Sequence, residues 1–185
     1  MKNLIVKSFL VGMLLNVSAF AYEATKVDVE WIGFKTNSKV GVTGTFNHVD
    51  LQIKSSANFN EFINSAKVKI DTSSLNSKMK FRDTNIISTL FNLSSTKEII
   101  ATVKKVNGSM KSGELEVEIV MNNNAKTILM KYDVKENNLI AKGSIDILDF
   151  SMHKSFNAFS AICKPFHEGK TWSEVSVSFD LFFTK

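Results

Sequence analysis

Apolar and polar residues alternate with a period of two along most of this chain, from Lys26 to Phe183, and that pattern restricts the fold more than any other feature. Val27, Val29 and Trp31 alternate with Asp28 and Glu30, and Val40, Val42, Gly44 and Phe46 alternate with Gly41, Thr43 and Thr45. Further rows run through Val68 and Ile70, Ile99 to Val103, Leu115 to Met121, Ile128 to Val134, Leu139 to Ile147, and Val175 to Leu181. Successive side chains of a strand face opposite ways, so such rows predict half-buried antiparallel strands. Asn107-Gly108-Ser109 with Lys111-Ser112-Gly113, Asn122-Asn123-Asn124 and Glu136-Asn137-Asn138 separate them with good turn residues. The expected fold is mainly β: an up-and-down antiparallel barrel of about eight strands with one or two short helices. A β-sandwich fits the periodicity almost as well.

Residues 1–21 read as a leader to be removed on export. Lys2 and Lys7 precede an apolar run from Phe9 to Leu15, and Ala19-Phe20-Ala21 is a small-residue cleavage site. The run is far shorter than the ~20 residues of a spanning helix, so no integral membrane span is expected. A bacterial periplasmic location follows most simply, with one domain over residues 22–185. Of the 23 basic residues, 21 remain after cleavage against 18 acidic ones, a net charge of +3 spread along the chain. That lacks the basic stripe of a nucleic-acid binder. Cys163 is the one cysteine, so no internal disulfide forms. It could be buried and inert, reactive, or the link in a homodimer.

Asp71 to Asn92 is the stretch that reads clearly as helical. Ile86, Ile87, Leu90 and Phe91 share one helical face, and Asp83 just ahead is a plausible N-cap. Lys78, Lys80 and Arg82 lie immediately upstream, so the helix start suits either an anionic head group or an Arg82–carboxylate tie. Ser55–Ser65 reads as a short connector docked on a barrel end. Ser151–Trp172 breaks the alternation and holds Pro165, Cys163, His153, His167 and three phenylalanines. A loop of that length is usually functional or mobile, and a helical turn around Phe156–Ile162 and a place at the barrel rim are expected. Neither metal-ligand spacing nor a nucleophile motif is present, and Pro165 separates the Cys163–His167 pair. No catalytic residue, metal or cofactor is assigned. Thirteen phenylalanines follow the leader; those near Phe59, Phe81, Phe91 and Phe156 fall off the strands, where they could line a barrel mouth. Each methylene of a bound tail would contribute about 0.8 kcal/mol.

Four segments together resemble the YceI-like family: VEWIGFKTNSKVGVTGTF (Val29–Phe46), IDTSSLNS (Ile70–Ser77), FRDTNIISTLF (Phe81–Phe91) and GKTWSEVSVSF (Gly169–Phe179). The resemblance spans nearly all of residues 22–185. It implies an exported, lipocalin-like barrel whose lumen takes a polyisoprenoid or similar amphiphile, with a quinone or fatty-acid derivative as variants, and no established catalysis. The family's Arg-Asp pair falls on Arg82 and Asp83, as a structural feature. The chain departs from the family pattern at Glu30-Trp31-Ile32, at Lys35-Thr36-Asn37, at Thr84-Asn85-Ile86 and at Ser94-Ser95-Thr96-Lys97. The expected tail site uses Trp31, Phe34, Phe46 and Tyr132 as walls, and Phe81, Arg82, Asn85, Leu90 and Phe91 on the helix, with Asp83 structural. Trp31 and Phe34 have opposite parity, so both face the lumen only if the strand is broken between them. A filled barrel serving as a stress-protective or interaction module, without cargo, is the alternative.

Overall fold

The computed structural model describes residues 20–185, so residues 1–19 of the expected leader lie outside the described residues. The alternating rows form eight of ten strands: β1 (Glu23–Lys35), β2 (Val40–Phe46), β3 (Val49–Gln52), β4 (Lys67–Asp71), β5 (Leu75–Asn76), β6 (Glu98–Gly108), β7 (Ser112–Met121), β8 (Asn124–Lys135), β9 (Asn138–Asp146) and β10 (Thr171–Thr184). Short β3 and β5 bring the number above the eight expected.

One antiparallel sheet contains them all, in the order β3-β4-β6-β7-β8-β9-β10-β1-β2-β5. It curls until its edges approach, because the chain passes from β2 to β3 through Asn47 and His48 alone. An isolated Tyr22–Ser56 bridge and the Asp71 amide donating to the His48 carbonyl (3.2 Å) stitch that seam. The barrel prevails over the sandwich because consecutive hairpins keep neighbouring strands adjacent. Asn122 and Asn123, both with positive φ, make the tight β7–β8 turn, and Glu136 takes the same region between β8 and β9.

The interior is filled at one end. Helix α1 (Phe59–Asn64) is capped by Asn58, whose side chain accepts from the amides of Asn60 and Glu61. Its spacing turns Phe59, Phe62 and Ile63 inward, all buried. Phe62 stacks on Tyr22 with centroids 5.8 Å apart and meets Phe183 edge-on at 5.9 Å. Phe59 therefore belongs to this closed end, not to a mouth. Tyr132, expected in the ligand wall, also lies here: it is 1 % exposed, its ring is 6.5 Å from that of Phe59, and its hydroxyl donates to the Ser109 carbonyl at 2.9 Å.

The other end is roofed by helices. Asp71–Asn92 is not one helix: a 3-10 turn (Thr72–Ser74) and β5 come first, then α2 (Lys80–Ile86) and a π turn (Ile87–Phe91). Asp83 is not the N-cap. Met79 occupies that position without a side-chain cap bond, and Asp83 sits a turn inside, accepting from the Ser77 amide (2.8 Å) and hydroxyl (2.5 Å). Its carboxylate pins α2 to the preceding strand. The widened turn also has a local cause. The Thr89 hydroxyl takes the Asn85 carbonyl at 2.6 Å, and the ladder reopens with the Asn92 amide donating to the Ile87 carbonyl at 2.8 Å. Where one helical turn was expected, α3 (His153–Cys163) forms a full helix, followed by a 3-10 turn (Lys164–Phe166) containing Pro165. No helix of the described residues is long and apolar enough to cross a membrane.

Truncating Phe62, fully buried, should cost about 3–5 kcal/mol, whereas Tyr132→Phe should cost only ~1 kcal/mol for its one hydrogen bond. Urea denaturation of the two variants measures both values; equal losses would contradict the packing described.

Candidate ligand-binding site

Between the aromatic plug and the helical roof lies a cavity of about 390 Å³, within the usual size range of small-molecule pockets. Its walls are the inward residues of the strands at the roofed end: Val29 and Trp31, Val42 and Phe46, Ile99 and Ala101, Ile119 and Met121, Val175, Val177 and Phe179. On β10 the inward side chains shorten toward this space. Along β10 the inward residues pass from Val175 and Val177 beside the cavity, through Phe179, to Leu181 and Phe183 in the closed half. Phe179 and Ala101 border both this cavity and a smaller one of about 50 Å³ toward α1.

Trp31 is one of two tryptophans that border the cavity, and its position depends on Gly44. The two are paired across β1 and β2, and a Cβ on Gly44 would lie 2.2 Å from the indole ring. Any other residue there would push the ring inward. Among the described residues Trp31 Nε1 is buried without a hydrogen-bond partner, a cost of about 1–3 kcal/mol. Phe34 takes a different place from Trp31. Register slips between Gly33 and Lys35 in the β1–β10 ladder, and Phe34 borders the cavity beside that slip. Its ring, however, keeps the parity of Ile32 over Gly41 and lies 5.6 Å from Lys39 Nζ. Phe34 is a rim residue.

The roof contributes Phe81, Arg82, Asn85, Ile86, Leu90 and Phe91 from α2 and the π turn, and Phe159, Cys163, Phe166 and His167 from the α3 segment. Asn85 is buried and borders the cavity, so it sets an amide among the apolar roof residues Ile86, Leu90 and Phe91. Eight of the nine expected ligand residues therefore border the cavity, Tyr132 being the exception. The α3 contribution was not among them. Its signal was present as Phe156, Phe159 and Cys163 at helical spacing within the break in alternation, though Phe156 packs on the core instead.

Basic groups gather at the mouth. Lys35 and Arg82 border the cavity, and among the described residues neither forms an ion pair; Arg82 Nη2 rests 3.5 Å from Met79 Sδ. The expected Arg82–carboxylate tie is absent, since Asp83 is engaged by Ser77. His167 holds Thr171 Oγ1 through Nδ1 at 2.8 Å, and its pKa is lowered by burial and then by the Lys35 and Arg82 charges. Burial pushes the Cys163 thiol up, so it stays protonated and poorly nucleophilic. The Trp172 indole N–H donates to the Thr36 carbonyl at 2.8 Å, with Lys39 and Lys170 over its ring at 4.6 and 4.4 Å, which braces the β1–β2 turn against the mouth. The arrangement suits an apolar tail inside and a polar, acidic or hydrogen-bonding group at the rim. Among the described residues, no three His, Cys, Asp or Glu side chains converge on a metal-sized site.

Comparison with known proteins agrees with this architecture. A polyisoprenoid-binding domain from Saccharophagus degradans superposes with a TM-score of 0.61 at 16% identity, covering 89% of this chain and 97% of that one. Burkholderia cenocepacia BcnA gives 0.67 at 15% identity, covering 88% and 100%, and a Campylobacter jejuni YCEI protein gives 0.57 at 14%, covering 79% and 86%. No curated protein matches the chain. The model of the YceI-like domain matches residues 21–183, so the chain belongs to the YceI-like family.

Proposed function

We propose that this protein holds a polyisoprenoid, or a similar long-chain amphiphile such as a quinone, noncovalently in the open half of its barrel. The observation that carries this is the 390 Å³ apolar cavity with its polar groups confined mainly to the rim. A filled barrel without cargo would not keep Val175, Val177 and Ala101 opposite open space. The resemblance to a polyisoprenoid-binding domain supports the same cargo class. The leader-like residues 1–21 support export, and we assign the mature chain, from about Tyr22, to the periplasm. Its role is binding rather than catalysis, the reading that the YceI-like family and the polyisoprenoid-binding neighbour support.

Native mass spectrometry of the periplasmic protein, followed by organic extraction, tests this directly. A stoichiometric long-chain lipid supports it; a clean apo mass that persists after incubation with polyprenyl phosphates and quinones counts against it. Val177→Trp should abolish the adduct. The new ring enters open space, so stability should change by less than the ~1–3 kcal/mol of overpacking a dense core. Retained cargo in a folded V177W protein would place the lipid elsewhere.

His167 reports on the head group. Its folded pKa is lowered, so the unfolded chain takes up its proton first as pH falls. Stability from this group is therefore complete above the ordinary histidine value of about 6.5 and declines from there down to its own lower value. An acidic head group between Lys35 and Arg82 would offset their charges and raise the His167 pKa. NMR titration with and without a polyprenyl phosphate should show that upward shift; an unchanged value would place the phosphate away from His167.

A further inference from the structure

The segments around the cavity mouth also present an outward surface. Met79, Phe81 and Phe166 border the cavity yet are 50%, 60% and 58% exposed. The Phe81 and Phe166 rings meet edge-on with centroids 5.8 Å apart, joining α2 to the turn after α3. Ile162, on the last turn of α3, and Val40, paired with Lys35 at the β1–β2 turn, are exposed as well. Exposed apolar side chains scattered singly need no explanation; five at one end of a barrel do.

Cations surround them. Lys35 and Lys39 flank the β1–β2 turn, Lys78, Lys80 and Arg82 surround Met79 and Phe81, and Lys164 and Lys170 flank Phe166 and His167. Acids near them are few: Asp83 is engaged by Ser77, Glu174 pairs with Lys39, and Glu168 and Glu30, which also borders the cavity, remain. The chain after its leader carries only three net positive charges, so this bias is local. An exposed apolar cluster on segments rich in lysine matches a surface that is negative outside and apolar beneath.

We infer that this rim docks on an anionic phospholipid bilayer, with Phe81, Phe166 and Ile162 entering the head-group boundary and the surrounding lysines meeting acidic lipids. Docking in this orientation turns the cavity mouth toward the layer in which an isoprenoid tail resides. Its purpose rests on the lipid-binding reading, but the surface is measured independently of cargo.

The test is cosedimentation of the delipidated mature chain with phosphatidylcholine vesicles and with vesicles that also contain phosphatidylglycerol. Binding should favour the anionic vesicles and fall at high salt. Lys80→Glu with Lys164→Glu should weaken it by roughly 10-fold or more, and Ile162→Ser with Phe81→Ser should weaken it even at low salt. Thermal melts establish that these exposed changes leave the fold intact. Absence of binding to either vesicle, equal binding by parent and variants, or a dimer that buries this face and is lost in the variants would overturn the inference. Native mass of the K80E/K164E protein reads cargo separately, so failure to dock and failure to carry lipid give different results.

Discussion

The aromatic plug at the α1 end determines how the rest of the interior is used. Tyr22, Phe59, Phe62 and Phe183 pack with centroids 5.5 to 6.0 Å apart, mostly edge-on or tilted. Such pairs add about 0.5–1.5 kcal/mol each beyond their area burial, and together they close one barrel end without any disulfide. A barrel sealed and stabilised at one end can tolerate small residues at the other. Ala101, Val175 and Val177 occupy inward positions where larger side chains would complete the core. Stability and capacity are thereby separated along the strands.

The roof shows the same division. Asp83 anchors α2 through Ser77, while the Asn122 and Asn124 amides hold the Phe150 carbonyl ahead of α3. Between those anchors the roof residues themselves are held mainly by apolar contact. The π turn redirects Leu90 and Phe91 inward, both buried. Lys35, Arg82 and His167 remain at the edge, where water and a ligand head group can reach them.

Much of this was legible in the sequence because strand parity is a local property. Leu115, Val117, Ile119 and Met121 alternate in sequence and all four are buried. Leu90 and Phe91 were recognisable as roof residues from helical spacing, and Phe81 from its place off the strands. Tyr132 was misplaced for an instructive reason: parity correctly turns it inward, but parity does not say which end of the barrel a position occupies. That depends on register along β7 to β9, and register places it beside Ser109 and Phe59. Phe34 shows the converse: its ring keeps the parity of Ile32 over Gly41, and it reaches the cavity at the rim, beside the register slip between Gly33 and Lys35. Asp83 satisfied the composition rule for a cap while the helix began three residues earlier, since Ser77 offered its carboxylate a better pair of donors.

The sequence by itself determined a β-rich chain, which residues share a face of each strand, the positions of the tight turns and the presence of a helical segment near Arg82. Those follow from steric and solvation preferences over a few residues. Tertiary structure alone decided that the barrel is full at one end and open at the other, that α3 joins α2 over the opening, and that Lys35, Arg82 and His167 meet at its mouth. These depend on which distant strands pair and in what register, and volume left between side chains is a property of the whole enclosure that no local pattern encodes.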